Sequence, residues 1–220
     1  MRVATRTIDS GRINEKSFTV NTSNKATRLV GSRIDLRDWR AADLDRWAAW
    51  LTPGHRWKRL DGPYYALPTP DEVRDTVERR RAAIAEGAWP TPRTSLVIAD
   101  KETDGLIGLV TWYWESEETH WPGVGIVIFD PAHWRGGRGH EALGLWSDYL
   151  FRSLPRIARL DLRTWSGNAG MMRLAAKLGY REEARFRRAR IVDGAYYDGL
   201  GYGILREEWE QAHPHGFSSR

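Results

Sequence analysis

The chain has 220 residues, of which 41% are hydrophobic and 11% aromatic, enough for one good core, so it is most simply a single domain able to fold alone. Its formal net charge of +5 favours an anionic partner, but Lys and Arg are interleaved with acids throughout, and a polyphosphate ligand accounts for that as well as nucleic acid does. The absence of cysteine excludes a disulfide framework, a thiolate nucleophile and cysteine-ligated zinc; with no apolar signal core after Met1 and no apolar run of membrane-spanning length, a cytoplasmic enzyme or binding protein is expected.

Residues 1–27 are polar, with isolated Ile8, Ile13, Phe18 and Val20 and no sustained period, and read as a flexible arm. Leu29 to Arg37 reads as a first strand, followed by a helix whose stripe is Leu44, Trp47, Ala48 and Leu51, stopped at Pro53. His55 to Leu67 is an aromatic and basic loop. Thr69-Pro70-Asp71-Glu72 is a capping box with proline in the first turn, so a helix begins there and runs to Gly87, burying Val73, Val77 and Ile84. Ser95 to Ala99, Leu106 to Trp114 and Val124 to Phe129 follow as antiparallel strands. Then come a glycine-rich loop, a helix with the stripe Ala142, Leu145, Trp146, Tyr149, Leu150 and Leu154, a strand Leu160 to Trp165, and a helix carrying Met171, Met172, Leu174 and Leu178. A hairpin closes the fold, Glu182 to Ile191 and Ala195 to Leu205 about a turn at Asp193-Gly194. Gly199, Gly201 and Gly203 share one side of the last strand, so something approaches its backbone closely. Glu207 to Ala212 adds a helical turn before a tail, 213–220, whose His213 and His215 read as solvated rather than metal ligands.

The loop carries the chemistry. Trp134-Arg135-Gly136-Gly137-Arg138-Gly139 lies between a strand and a helix, and its glycines let several N–H groups converge on one anion at a helix N-terminus, an arrangement that suits phosphate. An ordinary glycine-rich connection fits the loop taken alone equally well. Gly137, Gly139 and Ala142 with Asp161 formally match a dinucleotide fingerprint, but residues 130–135 separate the strand from the glycines and Asp161 lies inside a strand rather than at its end. A P-loop is excluded because no Gly-Lys-Ser or Gly-Lys-Thr closes the run.

Gly105-Leu-Ile-Gly108, Gly125-Ile-Val-Ile-Phe-Asp-Pro131, Arg135-Gly-Gly-Arg-Gly-His-Glu-Ala142, Asn168 with Lys177-Leu-Gly-Tyr180, and Tyr202-Gly-Ile-Leu-Arg-Glu-Glu-Trp209 occur in this order and spacing. In that order the chain, from Leu29 to Trp209, resembles the GNAT superfamily of acyl-CoA-dependent N-acyltransferases, and most closely its RimJ and RimL branch of ribosomal-protein N-terminal acetyltransferases. The resemblance implies a single α+β domain over 28–212 with a mostly antiparallel mixed sheet of about seven strands, the fourth and fifth splayed, flanked by about four helices. It implies acetyl-CoA or another short acyl-CoA as co-substrate and no metal. It places Arg135, Gly136, Gly137, Arg138, Gly139 and His140 on the pyrophosphate, and Val127, Ile128 and Phe129, on a bulged strand, along the pantetheine arm and thioester carbonyl. Asn168 and Met171 would lie on its other side, and Arg173 and Lys177 within reach of the nucleotide's 3′-phosphate, where a plain exposed basic face is the competing reading.

Acyl transfer to an amine needs a positioned carbonyl, a donor for the developing oxyanion, a neutral amine and a proton source for the thiolate. The Val127 or Ile128 N–H would serve the oxyanion. At the family's proton-handling positions this chain has Gly123, Met171 and Ala175, so a side-chain base would have to come from the hairpin mouth: Glu115, Glu117, Glu118 or His120, which compete with a solvated acidic loop. Tyr197 and Tyr202 are candidate acids. Trp112, Trp114 and Trp121, with Tyr197, would line the site of a cationic acceptor: a protein N-terminus, a polyamine or an aminoglycoside-like molecule. A membrane is not an expected partner, a second copy of the chain as a homodimer is, and a nucleic-acid module has only the net charge in its favour. The rival from another class is a non-catalytic acyl-CoA binder or sensor.

Overall fold

A computed structural model describes residues 22–23, 26–87 and 89–217. Two short strands, β1 (Thr22–Ser23) and β2 (Arg28–Val30), lead into β3 (Ile34–Arg37), then α1 (Leu44–Leu51) and α2 (Pro70–Glu86). β4 (Trp89–Pro90), β5 (Ser95–Asp100), β6 (Leu106–Ser116) and β7 (Trp121–Ile128) precede α3 (Arg138–Ser153). The chain continues through β8 (Arg159–Trp165), α4 (Ala169–Lys177), β9 (Arg181–Val192), β10 (Ala195–Leu205) and α5 (Arg206–Ala212). Among the described residues the main sheet has 8 strands in the order β2-β3-β5-β6-β7-β8-β10-β9, and β7 with β8 is its parallel pair. A parallel neighbour needs a crossover, and α3 supplies it.

Both faces of the sheet are covered, which is why β5 is a continuous apolar run rather than an alternating one. Val97, Ala99, Leu109 and Phe129 pack beneath α1 and α2 with Trp47, Trp57 and Val77. Leu96, Ile98, Val110, Val124 and Leu162 pack on the other face against Trp146 and Leu150 of α3, Ala175 of α4 and Trp209 of α5. Trp146 is fully buried, and its indole N–H donates to the Thr111 carbonyl at 2.9 Å, so the ring enters the core without stranding a donor. The capping box at α2 forms as the residues dictate: Thr69 accepts from the Glu72 amide, Glu72 answers on the Thr69 amide, and Gly87 ends the helix in the left-handed region.

Three expectations are corrected. The first strand is two strands, because Gly31 to Arg33 turn back on themselves: the Gly31 amide donates to Ile34 O, and a Cβ on Gly31 would stand 2.5 Å from that oxygen. The tail does not stay free at 213–217: His213 stacks on Trp209 with centroids 4.3 Å apart, and Phe217 packs on Trp209 and His140. The strand before the glycine loop is not bulged near its end; β6 and β7 keep one register from Gly108–Ile128 to Trp114–Pro122, and the irregularity lies at the hairpin end. Of the expected arm, residues 1–21, 24 and 25 lie outside the described residues, while Thr22–Ser23 pairs with Trp89–Pro90. Among the described residues no helix is long and apolar enough to cross a membrane.

Candidate active site

β7 and β8 are paired only at Gly123–Asp161 and Val124–Leu162; beyond Val124 they part, and the opening faces the glycine loop and the start of α3. The Phe129 amide donates to Ile107 O at 2.9 Å, and strand alternation then turns the Val127 and Gly125 N–H groups toward β6 as well. The N–H groups of Ile126 and Ile128 are therefore the ones that look into the gap. The Ile128 carbonyl on that side accepts the Trp134 indole N–H at 2.9 Å, which locks the loop's first residue to the strand end.

The loop turns through Arg135 (φ 65) and Gly137 (φ 81), both in the left-handed region. The first bond of α3 is Glu141 N to Gly137 O, and among the described residues no acceptor caps the N–H groups of Arg135, Gly136, Gly137, Arg138, Gly139 or His140. Such a set of open amides at the positive end of a helix dipole fits a phosphate. Gly139 lets Leu174 of α4 and Ile128 approach: a Cβ there would meet them at 3.6 and 3.7 Å.

Two long-range contacts complete this wall. Glu141, 1% exposed in the first turns of α3, accepts the Ser32 and Arg33 amides and so fixes the β2–β3 turn against the helix start. That places the Arg33 guanidinium beside the loop, its Nε 4.0 Å from where a Gly137 Cβ would lie. No sequence signal pointed to Arg33, which reaches the loop from more than 100 residues away; Glu141 was present only as part of the run Arg135 to Ala142. Arg138 turns back toward Asp100, 3.4 Å away, so its side chain is partly spent on the protein.

The mouth of the gap is bridged by the loop after α1. Trp57 packs edge-on against Phe129 at the end of β7, with centroids 5.0 Å apart. Three residues on, the Leu60 carbonyl accepts both the Trp165 indole N–H from the end of β8, at 2.9 Å, and the Asn168 amide, at 3.2 Å. Asn168 also caps α4 by accepting the Met171 amide at 3.0 Å. Its side chain thus has both ends engaged within the protein.

The sequence-derived candidates fall into separate groups. Val127 lies on the strand that lines the gap, but its amide faces β6, so of the two expected donors it is the Ile128 N–H that is turned to the opening, together with that of Ile126. Arg173 and Lys177 are exposed on α4; Lys177 faces His140, whose imidazole is held below its ordinary pKa by burial first and then by Lys177 and His213. Tyr197 stands beside Trp165, with centroids 4.8 Å apart. Glu118, His120 and Trp121 do not reach the gap: they sit at the hairpin end of β7, and the six steps from Trp121 to Val127 span about 20 Å. Glu115 is engaged by Tyr113 and Arg163, at 3.2 and 3.3 Å, and Arg163 is the first residue of β8 beyond its last pair with β7, so this carboxylate stands at the closed end of the gap; Glu118 is engaged by Ser116. Trp112 and Trp114 pack into the core beside α3, the Trp112 indole donating to Arg93 O at 2.8 Å. These residues are neighbours in sequence, but an extended strand carries its ends far apart, which the spacing alone did not weigh.

Residues 33–181 match the family model described as "Acetyltransferase (GNAT) domain". Two curated relatives from Bacillus subtilis (strain 168) are similar: the SPbeta prophage-derived uncharacterized N-acetyltransferase YokL, 28% identical over 117 residues that make up 53% of this chain and 64% of the relative, and the uncharacterized N-acetyltransferase YoaA, 27% identical over 50% of this chain and 60% of the relative. The match therefore spans under two thirds of either relative. Among solved structures, a GNAT-family acetyltransferase from Bacillus anthracis aligns with TM-score 0.65 at 18% identity over 83% of this chain and 100% of that one. A chimera of the spermidine N-acetyltransferase SpeG from Vibrio cholerae with hSSAT aligns with TM-score 0.60 at 21% identity, over 81% and 98%. A Vibrio cholerae protein provisionally assigned as a ribosomal-protein-serine acetyltransferase aligns with TM-score 0.59 at 17% identity, over 81% and 97%.

Proposed function

Because the chain belongs to the GNAT acetyltransferase domain family, we propose that it is an N-acetyltransferase, moving an acetyl or other short acyl group from its coenzyme A thioester to a primary amine by direct attack in a ternary complex. The observation that carries this is the opening between β7 and β8, led into by the uncapped amides of residues 135–140. Those amides and Arg33 would hold the pyrophosphate, and the Ile126 and Ile128 N–H groups would meet the pantetheine and the thioester carbonyl. The thioester is itself the activated group. What this chain adds is position, plus an N–H donor aimed at the carbonyl oxygen as negative charge develops there. The amine lone pair forms the C–N bond, the C–S bond breaks with its electron pair going to sulfur, and the nitrogen gives up a proton as it becomes an amide.

A cationic amine is the acceptor class we favour, the likeness to a spermidine acetyltransferase supporting a polyamine and the ribosomal-protein neighbour a protein N-terminus. One observation favours the second reading, a non-catalytic acyl-CoA binder. A Cβ at Gly123 would stand 2.7 Å from the end of the Tyr113 ring, so the space an acid would need at that position is taken by Tyr113. Thermal shift and free-thiol release, measured together with acetyl-CoA, succinyl-CoA and a panel of amines, separate the two. Stabilisation with release supports the enzyme, stabilisation without release supports the binder, and no response to any coenzyme A species removes both.

A further inference from the structure

We infer that Asp61 is the acceptor-side carboxylate of this site: it binds the ammonium of the incoming amine at the mouth of the β7–β8 gap and takes its proton. The inference rests on the acetyltransferase reading above and adds a carboxylate at the open end of the gap, without the ion-pair and hydrogen-bond partners that engage Glu115.

Placement comes first. The parallel register that pairs Gly123 with Asp161 sets Val127 level with Trp165, beyond the last pair, so the open part of the gap lies between those two residues. Trp165 is tied to Leu60, the residue before Asp61, and the same carbonyl holds Asn168 at the head of α4. Trp57, whose carbonyl accepts the Asp61 amide at 3.1 Å, rests on Phe129 at the end of β7. The backbone around Asp61 is thus fastened to both lips of the gap, while Glu118 lies at the hairpin end and Glu115 is held by Arg163 and Tyr113 at the closed end.

Its surroundings come second. Asp61 is crowded by protein yet only partly buried. Among the described residues its carboxylate has no hydrogen-bond or ion-pair partner; the charge that acts on it is the Lys58 ammonium on the same turn. Tyr64 faces it from the following loop, and Arg190 of β9 lies over the Tyr64 ring, 4.8 Å from the centroid. Trp165 and Tyr197 extend this wall with aromatic faces, which suit a cation. A desolvated carboxylate without a partner is costly, and an arriving ammonium relieves that cost.

The chemistry fits third. Burial pushes the Asp61 carboxyl above the ordinary aspartate value, with Lys58 opposing, and burial lowers the Lys58 ammonium. A carboxylate shifted that way is a better base near neutral pH. The ammonium gives one proton to Asp61 and exposes its lone pair. Nitrogen then bonds to the carbonyl carbon, sulfur leaves with the electron pair of the C–S bond, and the proton shed as the amide forms goes to the sulfur. Asp61 returns its proton to solvent, so the cycle releases one proton overall.

The test uses the full chain with Asp61→Asn and with Asp61→Glu as the conservative rescue. Acetyl-CoA binding is followed by calorimetry, and thiol release against spermidine and against a peptide with a free N-terminus is followed across the neutral pH range. The Asp61 carboxyl resonance, assigned by its loss in Asp61→Asn, is titrated with spermidine in the coenzyme A complex. Asp61→Asn is expected to keep acetyl-CoA affinity within about twofold, to lose roughly 10²–10⁴-fold in kcat/KM for the amine, and to lose the acid limb of its pH profile, with Asp61→Glu restoring part of both. The resonance is expected to move on adding amine, which supports the assignment even where neither amine is turned over. Unchanged kcat/KM and pH profile in Asp61→Asn, a resonance indifferent to amine, or loss of acetyl-CoA binding together with turnover would each overturn it. A wild-type protein that binds no acetyl-CoA overturns the acetyltransferase reading and this inference with it.

Discussion

Gly137→Ala separates the two things that residue does. At φ 81 the backbone is left-handed, where a Cβ costs about 1–2 kcal/mol, partly offset by about 0.4–1 kcal/mol from the narrower unfolded ensemble. The added methyl meets nothing nearer than the Arg33 Nε at 4.0 Å, so no steric term adds to this. The net loss is about 1 kcal/mol, a Tm drop of about 2–4 °C for a domain of this size. Gly87→Ala is the matched control: at φ 67, with nothing within 4 Å, it carries the same backbone penalty far from the loop at the end of α2. The two variants should melt alike and bind differently. The methyl on Gly137 enters the open side of the amide cradle; displacing one N–H to anion bond of about 1.5–3 kcal/mol raises the acetyl-CoA Kd roughly 10–100-fold, against no change for Gly87→Ala. Calorimetry with acetyl-CoA and thermal melts of both variants give the answer. An unchanged Kd in Gly137→Ala, with the expected drop in Tm, would refute the placement of phosphate on this loop.

Other predictions follow from the contacts around the site. Glu141→Gln leaves one of the Ser32 and Arg33 amides facing an amide NH2, costing about 2–4 kcal/mol and about 5–15 °C in Tm, with weaker acetyl-CoA binding as Arg33 is released; a Tm shift below about 2 °C would show that the carboxylate does not hold that turn. Trp165→Phe keeps the ring beside Tyr197 but loses the bond to Leu60 O, so about 1 kcal/mol of stability should go and KM for the amine should rise while KM for acetyl-CoA holds; equal rises in both would argue against a tether on the acceptor side. Burial disfavours the charged form of Asp35, but bonds from Lys101, Arg28 and the Gly31 amide outweigh this and hold its carboxyl below the ordinary value. Its stabilising contribution is therefore complete above about pH 4 and lost as pH falls through the lowered folded value, so the acid loss of Tm should be shallower in Asp35→Asn. Asp61 and Asp161, held above the ordinary value mainly by burial, act in the opposite sense in the same titration.

Much of the fold was legible because its signals are local. Thr69 and Glu72 announce a helix start through bonds three residues apart, and Asp193-Gly194 announces a hairpin through two positive φ angles, 49 and 77. Gly137 is a glycine where the backbone is left-handed. The Gly199, Gly201 and Gly203 strip was rightly read as a close approach, but not what approaches: Arg190, Arg163 and Glu183 side chains lie over it, a cross-strand matter that no single strand encodes. The single strand expected over 29–37 became two because the turn at Gly31 is held by Asp35 and by Glu141 from another element.

The amino-acid order by itself determined the elements, the anion-ready turn before α3 and the family, since caps, periods and glycine positions act over a few residues. Only the tertiary structure decided where the chemistry could take place. It fixed which end of β7 leaves β8, which way each amide of that strand faces, that Arg33 comes beside the glycine loop and that Leu60 is tied to Trp165. The reason is physical: a strand separates its ends by about 3.3 Å per residue, and contacts between segments over 100 residues apart depend on how sheet and helices pack rather than on any pattern along the chain.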